Sequence, residues 1–315
     1  MNRYEKFKRF SRDNIPFYTL ILLVIFLSSI SPYFYKPGNI MIILQNAAIN
    51  GAVAIGATLV IIAGEFDLSI GTTMTLTAAF AVGFQRYFSS IFLVCFIAII
   101  SGMMVGLFNG LLVTKARLKT FIATLGTFIM LDGIILLYTH SESLRAINEN
   151  YALISEGKLL NIRYPIWVIA FLLILTHFFL TKSRIGRYIF AIGGNKSISN
   201  LFGINTDKIK IFTFMFCGAF AAISGILLSS RVMSASPLFG ERTMLIVYGA
   251  IFLGGTSLRG GEGGVIKTMI AILVLSLLQN AFGILGIPLP YQLYVWGGIL
   301  ILMVTLDRKK HQKAI

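Results

Sequence analysis

IFLVCFIAIISGMMVGLFNGLLV, residues Ile91–Val113, decides the architecture of this chain. It carries no charged side chain and is long enough to cross the roughly 30 Å hydrocarbon core of a bilayer as one helix. Inside it Gly102, Gly106 and Gly110 form a G-x-x-x-G-x-x-x-G line. Ala48, Ala52 and Gly56 make a similar line in an earlier apolar run. Small residues at this spacing let helix backbones approach closely, so both lines predict packing seams, within one subunit or between two.

Runs of the same kind recur along the whole chain. Of the 315 residues, 57% are hydrophobic and 12% charged, well below the charged share of a soluble domain. Ten spans are expected, approximately at 17–35, 43–63, 68–87, 91–113, 121–139, 165–181, 211–230, 243–257, 264–284 and 290–306. The first has no small-residue cleavage site after it and reads as a retained span rather than a signal peptide. The predicted fold is an all-α polytopic membrane protein of about ten transmembrane helices, with Gly-rich broken or re-entrant turns. Residues 1–315 then form a single membrane domain, with an N-tail at 1–16, a structured loop at 182–210 and a C-tail at 307–315.

The net charge of +15 does not gather on one face or tail, which argues against nucleic acid as a partner. Instead the basic residues sort by loop. Counted with the N-terminus inside, inner segments hold 19 Lys and Arg and outer segments hold 7. That bias places both termini in the cytoplasm. Cys95 and Cys217 each lie inside an apolar run and read as small packed residues. His140, His177 and His311 are scattered and form no ligand pattern, so no metal site is expected.

The most basic loop contains GRYIFAIGGNKSISNLFGI, Gly186–Ile204. Asn195 can cap a short helix, Gly203 can end it, and Ile198, Leu201 and Phe202 share one face at i, i+3 and i+4. That apolar face suits either a groove on a soluble partner or the bilayer surface. Two Gly-rich turns, Ala63–Gly71 (AGEFDLSIG) and Leu253–Gly264 (LGGTSLRGGEGG), each end an out-to-in span and begin an in-to-out one. Their similarity hints at an internal duplication. Turns of this kind interrupt spans where protein or a water-filled cavity satisfies the backbone, as recurs in transporters.

The candidate pathway residues are polar groups in or beside spans: Asn50, Glu65, Asp67, Ser69, Asn109, Asp132, Gln279 and Asn280. Asp132 lies well inside a span and is expected to face a cavity or a polar partner. Asp67 and Ser69 can also cap the helix that follows, the favoured role for Asp67. Amides, including Gln45 and Asn46, both donate and accept, which suits neutral hydroxyl-rich solutes and also plain interhelical hydrogen bonds. There is no G-x-x-x-x-G-K-[ST] nucleotide loop, no H-E-x-x-H and no G-x-S-x-G. An Arg-rich voltage-sensor helix and a TVGYG-type filter are equally missing.

Four ordered blocks carry a family resemblance: GATLVIIAGEFDLSIG (Gly56–Gly71), NGLLVTKARLKTFIATLGTFIMLDG (Asn109–Gly133), GRYIFAIGGNKSISNLFGIN (Gly186–Asn205) and LGGTSLRGGEGG (Leu253–Gly264). Over nearly its whole length the chain resembles the permease subunit of bacterial ribose-type sugar ABC importers, related more distantly to branched-chain amino-acid permeases. It departs from that pattern at Glu65, where glycine is usual. Further departures are Lys119 and Thr120, near a common proline, and Ile198 and Ser199, which replace two alanines. The resemblance implies alternating access in the bacterial cytoplasmic membrane for a sugar delivered by an extracytoplasmic binding protein. A second permease subunit, identical or related, completes the membrane part. A cytoplasmic ATP-binding subunit carries ATP and Mg; this chain binds no cofactor and catalyses no covalent chemistry. That subunit is implied to push on a coupling helix, with Arg187, Gly193, Gly194, Asn195, Ile198, Leu201, Phe202, Gly203 and Ile204 in the contact. Two other classes compete. An ion-gradient-driven transporter would use Asp132 and the glycine turns but leaves the apolar loop helix unexplained. A membrane-embedded enzyme would need acids, histidines or metal ligands converging at one face, where the sequence scatters them.

Overall fold

The computed structural model describes residues 15–240 and 243–312. The first fourteen residues of the predicted N-tail and residues 313–315 of the C-tail lie outside that range. Each of the ten apolar segments coincides with a helix: α1 (Ile15–Ile30), α2 (Pro37–Ile62), α3 (Ile70–Gly83), α4 (Ile91–Thr114) and α5 (Thr120–Thr139). After an irregular loop containing the single turn α6 (Leu153–Glu156) come α7 (Tyr164–Lys182), α8 (Arg184–Gly194), α9 (Lys196–Leu201) and α10 (Thr206–Val232). The chain closes with α11 (Thr243–Leu253), α12 (Val265–Ile284) and α13 (Leu289–Gln312). Six of these, α2, α4, α5, α7, α10 and α12, are long and apolar enough to cross a membrane. Shorter apolar helices occupy the places of the first, eighth and last predicted spans.

Local chemistry sets most boundaries. Prolines stand in the first turn of α2 and α7, where the missing N–H costs no helical hydrogen bond. Ser90 caps α4 by accepting from Leu93 N–H. Several boundaries differ from the sequence reading: α1 stops at Ile30 rather than 35, α2 starts at Pro37 rather than 43, α10 starts at Thr206 rather than 211, and α11 stops at Leu253 rather than 257. The third segment ends early as α3 and finishes in a 3-10 turn, Phe84–Arg86. The helix of the last segment runs on to Gln312, through part of the expected C-tail. Among the described residues the only strands are two-residue pairs. Leu144–Arg145 pairs with Ser234–Ala235, and Lys158–Leu159 with Ile162–Arg163. The latter is a hairpin turned by Leu160 and Asn161, both with positive φ.

The core forms around α2 and α10, which are mostly buried, as is α12. The peripheral α4, α5 and α7 expose most of their apolar surface. A chain with this distribution needs an apolar solvent, and it is a multi-pass membrane protein. Both small-residue lines become seams inside the subunit. A Cβ on Gly106 would lie 2.2 Å from the Phe214 carbonyl oxygen, and one on Gly56 would lie 2.9 Å from Cys217 Cα. Thus α4 and α2 grip α10 from two sides at backbone distance.

Several contacts join loops of matching predicted side. Lys115, before α5, lies 3.6 Å from Asp207, before the apolar part of α10. At the other end Gln85 accepts from the N–H groups of Ile147 and Asn148 at 3.0 and 3.1 Å. Tyr151 and Ser155 there bond Ser229 and Ser230 at 2.7 and 2.6 Å.

Candidate functional site

The loop 182–210 holds two helices. The shorter, α9, is the one the sequence signalled. Asn195 accepts from Ile198 N–H at 3.0 Å, and Gly203 ends the turn with φ +76°. The Ile204 N–H closes on the Ser199 carbonyl at 3.1 Å. Its apolar face stands free: Ile198, Leu201 and Phe202 are 50%, 87% and 81% exposed. The longer, α8, the sequence reading missed. Ser183 caps it by accepting from Gly186 N–H at 2.9 Å, and its buried Ile189 and Ile192 anchor it against the domain. Arg187 lies on the outer face of α8, donating to the Lys182 carbonyl at 3.2 Å. The i, i+3 stripe of Ile189 and Ile192 was the available signal, masked by the basic residues around it.

Gly193 and Gly194, at the end of α8, meet both Gly-rich turns. The Gly261 N–H donates to the Ile62 carbonyl at 2.8 Å, joining the end of α2 to the turn before α12. Gly193 lies against that bond: a Cβ there would sit 1.8 Å from the Ile62 oxygen and 2.5 Å from Gly261 N. A Cβ on Gly260 would lie 2.7 Å from Gly64 Cα, and Gly260 already has φ +81°. Only glycine satisfies both demands at position 260. The two turns also end their helices alike. Gly64 N–H bonds Ile61 O and Glu65 N–H bonds Val60 O; Gly255 N–H bonds Phe252 O and Thr256 N–H bonds Ile251 O. These are two Schellman caps with the same spacing, in keeping with the duplication read from the sequence.

Beside this junction Glu65 forms an ion pair with Lys210 and accepts from the Thr120 hydroxyl. The side chains of Lys210 and Glu65 are only 8% and 11% exposed. They line one wall of a cavity of about 730 Å³ that also borders Lys196 and Asn200 of α9. Lys210 and Thr120 were not among the sequence candidates. Lys210 was marked only by being a charge at the very edge of an apolar run.

Asp67, Ser69 and Asn109 come together in a buried cluster. Asp67 Oδ1 accepts from Ser69 N–H at 2.9 Å, from the Ser69 hydroxyl at 2.6 Å and from Asn109 Nδ2 at 3.4 Å. Thr127, from α5, donates to Asn109 Oδ1 at 2.6 Å. The expected capping of α3 by Asp67 and Ser69 does not occur, and neither side chain bonds an N–H of that helix. Burial explains the change: a carboxylate without water needs several donors, and Asn109 from α4 and the Ser69 hydroxyl supply them. Tyr248 of α11 closes the cluster, donating to the Asp67 carbonyl and stacking on Phe66 at 4.1 Å between ring centres.

Asn50 and Gln279 converge on a second cavity, of about 350 Å³, away from the junction. Asn280, next in sequence, faces elsewhere and exchanges hydrogen bonds with Asn39 at 2.8 and 3.0 Å. That is the interhelical role of an amide, tying α12 to α2. Asp132 stands apart on α5, half-buried, with no hydrogen bond or ion pair among the described residues. No group of three His, Cys, Asp or Glu side chains among the described residues could hold a metal ion.

Comparison with known proteins gives one family. The family described as branched-chain amino acid transport system / permease component matches residues 39–304. The ribose import permease protein RbsC of Haemophilus influenzae is 36% identical over 95% of this chain and 94% of its own length. The protein of that name from Bacillus subtilis is 36% identical over 94% of this chain and 92% of its own. The L-arabinose ABC transporter permease protein AraH of Azospirillum brasilense is 29% identical over 93% of this chain and 87% of its own. No solved structure matches the chain.

Proposed function

We propose that this chain, which belongs to the family described as branched-chain amino acid transport system / permease component, is the membrane-spanning permease of an ATP-driven sugar importer, a reading supported by its similarity to ribose import permeases. Its cargo is a monosaccharide, ribose or a related simple sugar, delivered by an extracytoplasmic binding protein. ATP and Mg act on a separate cytoplasmic ATP-binding subunit, and a second permease, identical or related, completes the membrane part. The ten helices cross the bacterial cytoplasmic membrane ten times, with both termini inside. What supports ten crossings is the sidedness of the loop contacts: 64–67, 182–210 and 258–263 meet at one end, 85–90, 140–164 and 229–235 at the other.

The observation that carries the coupling is the glycine junction. The free apolar face of α9 offers a partner a handle, and α8 links that handle to the inner ends of α2 and α12. A push on α9 then moves the spans that border the polar cavities. Backbone-to-backbone contact suits this purpose because it has no flexible side chain to absorb the displacement.

The test is Leu201→Asp with Phe202→Asp. Both side chains are already exposed, so the domain should fold and reach the membrane normally. Each apolar side chain buried at a partner surface contributes roughly 1.5–3 kcal/mol, so losing both should release the ATP-binding subunit and abolish uptake. A double variant at normal level that still retains that subunit and transports sugar would remove α9 from the contact.

A further inference from the structure

The cavity between α2 and α12 has a composition that the coupling reading does not use. Asn46 and Asn50 stand one turn apart on α2, and Gln279 of α12 lines the same space with Phe239, Met74 and Thr243. None of the described lining residues is charged. Its volume, about 350 Å³, is near the lower end of the ~300–1,000 Å³ of small-molecule sites. Asn50 lies midway along the 26 residues of α2, hence about mid-depth in the membrane domain.

Two of the three amides are not spent on the protein. No hydrogen bond to another residue is made by the side chain of Asn50 or Gln279 among the described residues, although other amides nearby are all engaged. Gln45 donates to the Ser155 carbonyl at 2.9 Å, and Asn39 and Asn280 bond each other. Asn46 is engaged on one side only. Arg231 at the end of α10 donates to its Oδ1, which leaves its Nδ2 as a donor. The side chains thus present both donors and acceptors toward one uncharged space. Within a membrane domain such groups need water or a ligand to bond. An adjacent hydroxyl pair on a neutral polyol matches them, because each hydroxyl also donates and accepts. Phe239 adds an apolar ring, which suits the C–H face of such a molecule.

We propose that Asn46, Asn50 and Gln279 form a hydroxyl-reading station for a neutral monosaccharide on its way through the domain, with Arg231 positioning the Asn46 amide. This rests on the importer reading and deepens it: the permease itself discriminates among sugars, in addition to any choice made before the cargo arrives.

The experiment uses the assembled transporter, with binding protein and ATP-binding subunit, and labelled D-ribose, L-arabinose, D-xylose and D-allose. Asn50→Leu and Gln279→Leu should each lower uptake of the carried sugar by about tenfold, the scale of one lost hydrogen bond. They should also change its preference over the other three. Level and subunit assembly should hold. Unchanged uptake and unchanged preference in both variants would overturn the station.

A second measurement separates this from a failure of the importer reading. Should the unmodified assembly carry none of the four sugars, the importer reading falls and the cavity is judged alone. In a chain with Cys95 and Cys217 replaced by alanine, Asn50→Cys is alkylated by a small maleimide in membranes, with or without each sugar at millimolar concentration. Slowed alkylation by at least one sugar sustains the station. Equal rates with all four, or a cysteine that reacts under no condition, overturn it.

Discussion

Adjacent glycines in α8 should behave in opposite ways. A Cβ on Gly193 would fall 1.8 Å from the Ile62 oxygen, whereas real Cβ atoms stay beyond 3.0 Å, so Gly193→Ala must open the junction by at least 1.2 Å. The same Cβ would lie 2.5 Å from Gly261 N, so it presses on both partners of the 2.8 Å bond from Gly261 N–H to Ile62 O, which is lost if they yield rather than α8. Losing that bond costs about 1 kcal/mol, and forcing an extra carbon into packed structure costs about 1–3 kcal/mol. Alanine returns up to about 1 kcal/mol of helix propensity. The net penalty of about 1–3 kcal/mol is small against a typical stability of ~5–15 kcal/mol, so the protein should still fold and assemble. At Gly194 a Cβ meets nothing within 4 Å, and only the propensity gain remains. Thermal melting of the purified assembly, ATP hydrolysis with loaded binding protein and sugar uptake in vesicles measure the pair. Gly194→Ala should melt at or above the parent and transport normally. Gly193→Ala should melt lower and keep the ATP-binding subunit bound, yet lose most uptake while hydrolysis continues. Equal uptake and equal melting for the two variants would refute the idea that α8 transmits force through this contact.

Two further outcomes follow from the same end of the molecule. Glu65→Leu strands the buried Lys210 and should destabilise by about 3–5 kcal/mol, while adding Lys210→Met should recover most of it; single and double variants that melt alike would show the pair to be uncoupled. Single cysteines at the exposed Ser143 and Ser197 should react with an impermeant reagent from outside and only after permeabilisation, respectively; labelling of Ser197 from outside would invert the topology.

The apolar helices were legible because length and apolarity are written residue by residue: each of the ten segments met a helix, and six of these helices are long and apolar enough to cross a membrane. The cap and stop of α9 were equally local, since Asn195 and Gly203 act within one turn. What the sequence could not show were pairings across the chain. Glu65 and Lys210 are 145 positions apart, and Gly193 meets residues 62 and 261 only after every span has packed. Asp67 illustrates the rule most directly. Its local option was to cap α3, but burial made the donors of Asn109 and Ser69 the stronger claim, and a tertiary cluster replaced the local one. Asn50 and Asn280 were indistinguishable as intramembrane amides. Only the fold gives one a cavity and the other a partner.

The two ends of the domain are fastened by different chemistry, and the difference bears on which end moves. Away from α9, side chains lace the loop to the helices. Arg163 reaches both Gln45 and Glu156, Tyr151 and Ser155 bond the last turns of α10, and a short strand pair closes the seam. Opening that end breaks many bonds at once. Near α9 the helices meet largely through bare glycine backbone, with the Gly261–Ile62 hydrogen bond and the Glu65–Lys210 pair, to which Thr120 also donates, among the polar links there. That pair borders a cavity of about 730 Å³. Water entering there would hydrate Glu65 and Lys210 once they separate, which lowers the cost of parting them. Under the importer reading this is the contact expected to open, with Glu65 and Lys210 hydrated when it does. Glu65, at a position where the resembling motif carries glycine, and Thr120, near its usual proline, both belong to this contact. Glycine at 65 would leave Lys210 buried without a counter-charge, so these departures stand or fall with Lys210. Under the importer reading they are expected to shift the balance between closed and open forms of this contact.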